Sequence, residues 1–180
     1  MKEIRIHGRG GQGSVTAAEL LAQAAFEDGW YTQAFPSFGV ERRGAPVTAF
    51  VRLDNKPIRL RAQIYHPDYV IIQDPTLIAT ENVLEGLKGD GMILVNSALS
   101  AEELALGTDA EVRTVNATQI AVEELGRPIV NTLLLGAFAG ATGLATVDSI
   151  KKAVLRRFSG KVAEMNARAI DRAYAMVGGE

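Results

Sequence analysis

There is no cysteine in this 180-residue chain. Disulfides, a thiol nucleophile and thiolate ligation of an iron–sulfur cluster are therefore excluded from its own chemistry. Only two histidines are present, too few for the usual protein-only zinc site. No apolar run reaches the roughly 20 residues of a membrane-spanning helix. The first residues enter a strand pattern at once, with no apolar leader. A cytoplasmic location without membrane contact is expected. Strong charge of either sign is lacking as well. A net charge of -2 gives no general field for nucleic acid. What remains is an ordinary globular composition, 47% hydrophobic and 22% charged. The chain is long enough to bury a core as a single domain over residues 1–180.

The patterning points to an α/β fold. Residues 3–7 read as a strand and 12–28 as a helix. In that helix Ala17, Leu21, Ala24 and Ala25 recur at helical spacing, giving a small-residue face able to lie close on a sheet. Gly29 ends it, and a second strand is expected at 30–35. Further strands are expected at 47–53, 69–73, 91–96 and 111–115. Asp54-Asn55-Lys56 reads as a hairpin turn into another at 58–61. Asp74 is expected to cap a helix with Pro75 at its first position. Helices are expected at 118–125, 132–141, 147–158 and 161–177. The 132–141 helix is apolar on all sides, with Asn131 as its expected cap and Gly136 and Gly140 as a strip for close packing. Such a helix is either buried in its own chain or covered by a partner. In the next helix Ile150, Val154 and Phe158 form a stripe. In the last, Val162, Met165, Ala169, Ala173 and Met176 form the expected seam. These elements predict a three-layer, Rossmann-like domain with a mixed, mostly parallel sheet.

Two loops carry the candidate chemistry. Gly8-Arg9-Gly10-Gly11-Gln12-Gly13 lies between the first strand and the first helix and has the G-x-G-x-x-G spacing. Its glycines let the backbone turn and approach a ligand. The helix N-terminus behind them aims unpaired N–H groups at an anion, and Arg9 adds positive charge. The same residues also suit a turn that merely packs a helix on a sheet. A dinucleotide site further expects an acid ending the second strand, to hold the ribose. That strand ends in Thr32-Gln33-Ala34-Phe35, and Glu41 and Arg42 lie too far along. NAD and NADP are disfavoured.

The second loop, 36–46, is long and rich in breakers. Arg42 and Arg43 offer two guanidiniums able to bind phosphate or carboxylate bidentately. Alternatively, Glu41 neutralises one of them in a surface ion-pair loop. His7 reads as locally hydrogen-bonded and His66 as a turn residue. Asp68 and Asp74 have the look of a carboxylate pair, although Asp74 is better explained as a cap. Asn166 reads as the partner of a buried backbone group. No nucleophile–base–orienter set is present, so no catalytic residue is assigned.

Taken together, Gly8-Arg9-Gly10-Gly11-Gln12-Gly13-Ser14-Val15-Thr16-Ala17-Ala18 and Gln33-Ala34-Phe35-Pro36-Ser37-Phe38-Gly39-Val40-Glu41-Arg42-Arg43-Gly44-Ala45-Pro46 resemble the gamma subunit of 2-oxoacid:ferredoxin oxidoreductases. Tyr65-His66-Pro67-Asp68-Tyr69-Val70, Asn131-Thr132-Leu133-Leu134-Leu135-Gly136-Ala137-Phe138 and Arg157-Phe158-Ser159-Gly160-Lys161 with Asn166 extend the resemblance from end to end. It implies a subunit, similar to a third catalytic domain, of an enzyme that oxidatively decarboxylates a 2-oxoacid to an acyl-coenzyme A and reduces ferredoxin. The resemblance places thiamine diphosphate and the iron–sulfur clusters in alpha-, beta- and delta-type partner subunits. It brings coenzyme A near this chain, with Gly8, Arg9, Gly10, Gly11, Gln12, Gly13, Glu41, Arg42 and Arg43 as the contacts. The Phe38–Pro46 wording is similar to the pyruvate or 2-ketoisovalerate type rather than the S-Y-G-P-E-x-R-G-G of the 2-oxoglutarate type. Two other readings stay open, a purely structural interface subunit and a stand-alone nucleotide-binding protein, as does whether the isolated chain forms a homodimer.

Overall fold

Hydrophobic alternation in the strands determines the layering. In β1 (Lys2–Arg9), Ile4 and Ile6 point to one face while Glu3, Arg5 and His7 point to the other. β2 (Tyr31–Pro36) and β3 (Pro46–Asp54) are antiparallel to each other. β3 also pairs antiparallel with β1, opposing Ile4 to Val51. On its other edge β1 runs parallel to β4 (Tyr69–Ile72), which is followed in parallel by β5 (Met92–Asn96) and β6 (Glu111–Val115). The order is β2-β3-β1-β4-β5-β6. The computed structural model describes residues 1–37 and 42–178.

One face of the sheet is covered by α1 (Ser14–Glu27), α5 (Asn131–Thr142), α6 (Val147–Arg157) and α7 (Gly160–Gly178), with α4 (Ala117–Leu125) beside them. Ile4, Ile6, Val51, Leu53, Ile71 and Leu94 meet the buried alanines and leucines of these helices. Val70, Ile72, Ile93 and Val95 face the other way, into a smaller cluster with Leu77 and Val83. The short helices α2 (Leu77–Thr80) and α3 (Ala101–Leu104) lie in the connections after β4 and β5. The layering and the mixed, mostly parallel sheet are those expected from the sequence. The apolar α5 is buried by its own chain, through α1, α4, α6, α7, β5 and β6, and so needs no partner as cover.

Several local expectations are corrected. Residues 58–61 form no strand. They run beside β2, tied by Gln33 Nε2 donating to the Leu60 carbonyl at 3.0 Å. Asp74 does not cap α2, whose N-cap is Thr76; its Oδ1 instead accepts from Thr76 N and Oγ1. Asn131 is not the cap of α5 but its first residue, and its Nδ2 donates to the Gly13 carbonyl. In α7, Val162 and Met176 face solvent, and the packed face is Ala163, Asn166, Ala169, Ile170 and Ala173.

His7 is buried in β1 and its Nε2 accepts from Arg5 Nε at 2.9 Å. Burial, and secondarily the Arg5 charge, push the imidazole down to about 3. Unfolded, it titrates near its ordinary value of about 6.5. Below that pH the unfolded chain takes up a proton that the folded chain refuses until about 3. The stability is therefore complete above pH ~6.5 and declines as pH falls toward 3, by about 2 kcal/mol at pH 5. Urea midpoints at pH 7 and 5 check this. His7→Gln, which keeps an acceptor for Arg5, should flatten the difference; an unchanged pH dependence contradicts the assignment.

Candidate functional site

The glycine loop begins where β1 ends and turns directly into α1. Gly11 and Gly13 adopt positive φ of 92° and 78°, a region open to glycine at little cost. Gly13 is the N-cap of α1 and supplies no side-chain cap. Gly8 and Gly10 are required for proximity. A β-carbon at Gly8 would strike Ser14 Oγ and Gln73 Oε1, and one at Gly10 would strike the Arg42 carbonyl.

The two candidate loops are joined through their backbones. Gly10 N donates to the Ala45 carbonyl at 2.8 Å, and Gly44 N donates to the Gly10 carbonyl at 3.0 Å. Gly10 and Arg43 thereby form a parallel bridge. Arg42 and Arg43 are exposed beside the glycine loop. Glu41 lies outside the described residues.

Arg9 and Gln12, expected at a ligand, are engaged internally. Arg9 Nε pairs with Asp74 Oδ2 at 3.1 Å, its Nη1 donates to the Gly44 carbonyl and its Nη2 to Thr76 Oγ1. Gln12 accepts from Arg9 N at 2.7 Å and donates to Asp74 Oδ2 at 2.9 Å. Burial pushes the Asp74 carboxyl up. Hydrogen bonds from Thr76 and Gln12, with the Arg9 charge, outweigh it and hold Asp74 below its ordinary value. Asp68 lies at the opposite end of β4, paired with Lys88 at 2.8 Å, so the two aspartates form no pair. Asn166 donates to the part-buried Val162 carbonyl one turn back in its own helix, and its buried partner is a side chain, Thr132, whose Oγ1 donates to Asn166 Oδ1 at 2.6 Å.

Sequence reasoning missed the residues that end the neighbouring parallel strands. Gln73 follows β4 and Asn96 closes β5. Both border a cavity of about 810 Å3 that starts at Gly11, Gln12 and Gly13 and includes neither Arg42 nor Arg43 in its lining. Open α/β sheets place ligands at the carboxyl ends of their strands, where the connections part to opposite faces. A single amide after an apolar run was the available signal. The topology also alters the dinucleotide argument. β2 is not beside β1, because antiparallel β3 occupies the place where a ribose-holding strand would lie. Among the described residues, no cluster of three or more His, Cys, Asp or Glu side chains could hold a metal, and no helix is long and apolar enough to cross a membrane.

Comparison with known proteins agrees along the whole length. The model of the family described as pyruvate ferredoxin/flavodoxin oxidoreductase matches residues 3–176. The chain is 64% identical over 180 residues to pyruvate synthase subunit PorC of Methanosarcina barkeri, covering 100% of this chain and 99% of that protein. It is 55% identical over 177 residues to the common subunit gamma of the pyruvate/ketoisovalerate oxidoreductases of Pyrococcus furiosus, covering 97% and 96%. The crystal structure of pyruvate oxidoreductase subunit PORC from Thermotoga maritima superposes with a TM-score of 0.85 at 39% identity, covering 96% and 94%.

Proposed function

This chain belongs to the pyruvate ferredoxin/flavodoxin oxidoreductase family, and from that premise we propose that it is the gamma subunit of a multi-subunit, cytoplasmic, pyruvate-type enzyme. The complex oxidatively decarboxylates the 2-oxoacid, passes the acyl group to coenzyme A and reduces ferredoxin. Alpha-, beta- and delta-type partners carry the thiamine diphosphate and the iron–sulfur clusters. A chain without cysteine fits that division, because it has no thiolate to offer a cluster. The gamma chain, a single domain over 1–180, completes the assembly and meets anionic groups of coenzyme A with the glycine loop and with Arg42 and Arg43.

The observation that carries the coenzyme A contact is the locked pair of loops. The Gly10–Arg43 bridge holds the backbone that carries two exposed arginines beside the glycine loop at the start of α1. Phosphates are held well by that pairing of fork-shaped cations and helix-terminal donors. Arg42→Glu with Arg43→Glu in the assembled complex should raise KM for coenzyme A about tenfold or more, leaving coenzyme A-independent decarboxylation unchanged. Unchanged kinetics in an intact complex removes the role.

A structural reading is favoured by one further observation: Arg9 and Gln12 already serve Asp74. It predicts that the same reversals impair assembly, while any surviving complex keeps its coenzyme A affinity.

A further inference from the structure

We infer that the free edge of the sheet, along β2, is the docking site for an extended acidic segment of a partner subunit. That segment adds to the sheet as a further strand. The inference rests on the gamma-subunit reading, because that reading supplies the partners.

The first observation is an open ladder. β2 ends the sheet and pairs with β3 alone. Ser37 N donates to the Thr48 carbonyl at 2.8 Å, and this fixes the phase of the antiparallel pairing. Phe35, Gln33 and Tyr31 are the residues that exchange hydrogen bonds with β3. The main-chain groups of Thr32 and Ala34 therefore point away from it. Among the described residues, neither N–H has a backbone acceptor outside the sheet. Pro36 holds the next outward position, where its missing N–H costs the ladder nothing. Natural sheets guard such edges with charges, bulges or cover. From Tyr31 to Pro36 there is no charged residue, and the register against β3 runs without a bulge. The opposite edge, β6, carries Glu111 and Arg113. An uncharged, regular edge is the kind that strand addition uses.

The second observation is charge. After β3 the chain returns as an irregular strap, residues 55–67, held by Gln33 and Arg52 through the Leu60, Ala62 and Gln63 carbonyls. The strap contains Lys56, Arg59 and Arg61 and no carboxylate. Arg59 and Arg61, with Gln33, Phe35 and Ile58, line a groove of about 490 Å3 beside β2. Both arginines are exposed. The acids around this corner are committed elsewhere. Glu3 pairs with Arg52, Glu27 with Arg156 and Asp54 with the amino terminus. Asp28 accepts from Thr146 and Ser149. Among the described residues, Arg59 and Arg61 thus flank the open edge with no ion pair of their own.

The charge selects the occupant. A second copy joined β2 to β2 would bring its own Arg59 and Arg61 to the same face of the continuous sheet, like charge against like. An acidic segment does the reverse. Its main chain meets the outward groups of Thr32 and Ala34, and every second side chain lies on the face of the strap. Carboxylates there meet the guanidinium forks of Arg59 and Arg61. An apolar side chain between them covers the half-buried Phe35 ring. Main-chain bonds supply the affinity and the alternate side chains the choice of partner.

Hydrogen–deuterium exchange resolved to single amides tests the inference, on the chain alone and in the complex that copurifies with it. Thr32 and Ala34 should exchange at least about tenfold more slowly in the complex. Gln33, held by β3 in both states, should change little. Arg59→Glu with Arg61→Glu, at exposed positions outside the sheet, should weaken association with the partner subunits about tenfold or more and flatten its salt dependence. Equal exchange of Thr32 and Ala34 in chain and complex overturns the inference, as does association that ignores the charge reversal. Protection that appears in the isolated chain as its concentration rises overturns it too, by making a second copy the occupant. A chain that joins no complex takes the gamma-subunit reading down as well. A chain that joins with both amides still open removes this inference alone.

Discussion

Arg52→Met is expected to lower the unfolding free energy by about 3–5 kcal/mol, the usual consequence of breaking a buried ion pair from one side. Arg52 lies within β3 and is 0% exposed. Its Nε pairs with Glu3 of β1 at 2.8 Å, and its Nη1 donates to Gln33 of β2 at 3.0 Å. Nη2 donates to the carbonyls of Ala62 and Gln63 at 2.7 and 3.3 Å. The guanidinium also stands over the Phe35 ring, 5.2 Å from its centroid. One side chain thus ties three strands to the segment that fails to form a strand of its own. Methionine keeps the apolar stem and leaves a carboxylate, the Gln33 amide oxygen and two backbone carbonyls without their donor. Arg52→Lys should recover only part, because an ammonium cannot reproduce the guanidinium fork. Adding Glu3→Leu to Arg52→Met removes the stranded charge and should return about 1–2 kcal/mol. Urea unfolding followed by circular dichroism measures all of these. Limited proteolysis adds a local readout, since the 57–63 segment should be cut well before the sheet opens. A loss under about 1 kcal/mol would show that the network is not worth what its burial implies.

The same segment marks where sequence reading reaches its limit. Period-two and period-3.6 patterns located the sheet strands and the long helices, because burial of one face is what creates those patterns. Ile58 and Leu60 alternate with Arg59 and Arg61 in the same manner. What the local pattern does not contain is that side chains hold this stretch in place of a strand ladder, Gln33 of β2 donating to the Leu60 carbonyl and Arg52 to those of Ala62 and Gln63. Asn131 failed as a cap for a related reason: its amide reaches the Gly13 carbonyl, a partner far away in sequence. Strand order was not legible either, and it is the order that sets β3 rather than β2 beside β1. At the site, the glycine turn was readable from residue type, because positive φ and close approach both select glycine. Gln73 was not, since a lone amide acquires meaning only once β4 lies beside β1 and Ser14 takes one end of it.

The seam of α7 leads to the second large effect. Of the expected seam, Ala169 and Ala173 are buried, together with Ala163, Asn166 and Ile170, whereas Val162 and Met176 face solvent. The backbones of α5 and α7 come too close for large side chains. A β-carbon on Gly136 would lie 2.5 Å from the Ile170 carbonyl oxygen and 2.9 Å from its Cγ2. One on Gly140 would lie 2.7 Å from the Tyr174 carbonyl oxygen. Helix propensity alone predicts that Gly136→Ala stabilises α5 by about 1 kcal/mol. The contact predicts the opposite sign, because the obstacle is backbone that no rotamer change can move. Gly136→Ala should cost about 2 kcal/mol net and Gly136→Val about 3 kcal/mol, near the upper range for overpacked cores. Gly140→Ala, closer to the exposed end of α5, should cost less. Equilibrium unfolding in urea decides the sign, and stabilisation by Gly136→Ala would mean that the two helices separate freely. Local opening supplies an independent check. Thr132 and Asn166, one turn nearer the start of each helix, join α5 to α7 by a 2.6 Å hydrogen bond. A side chain that forces α7 outward at Gly136 should stretch that bond and speed amide exchange around it, even in a chain that remains folded.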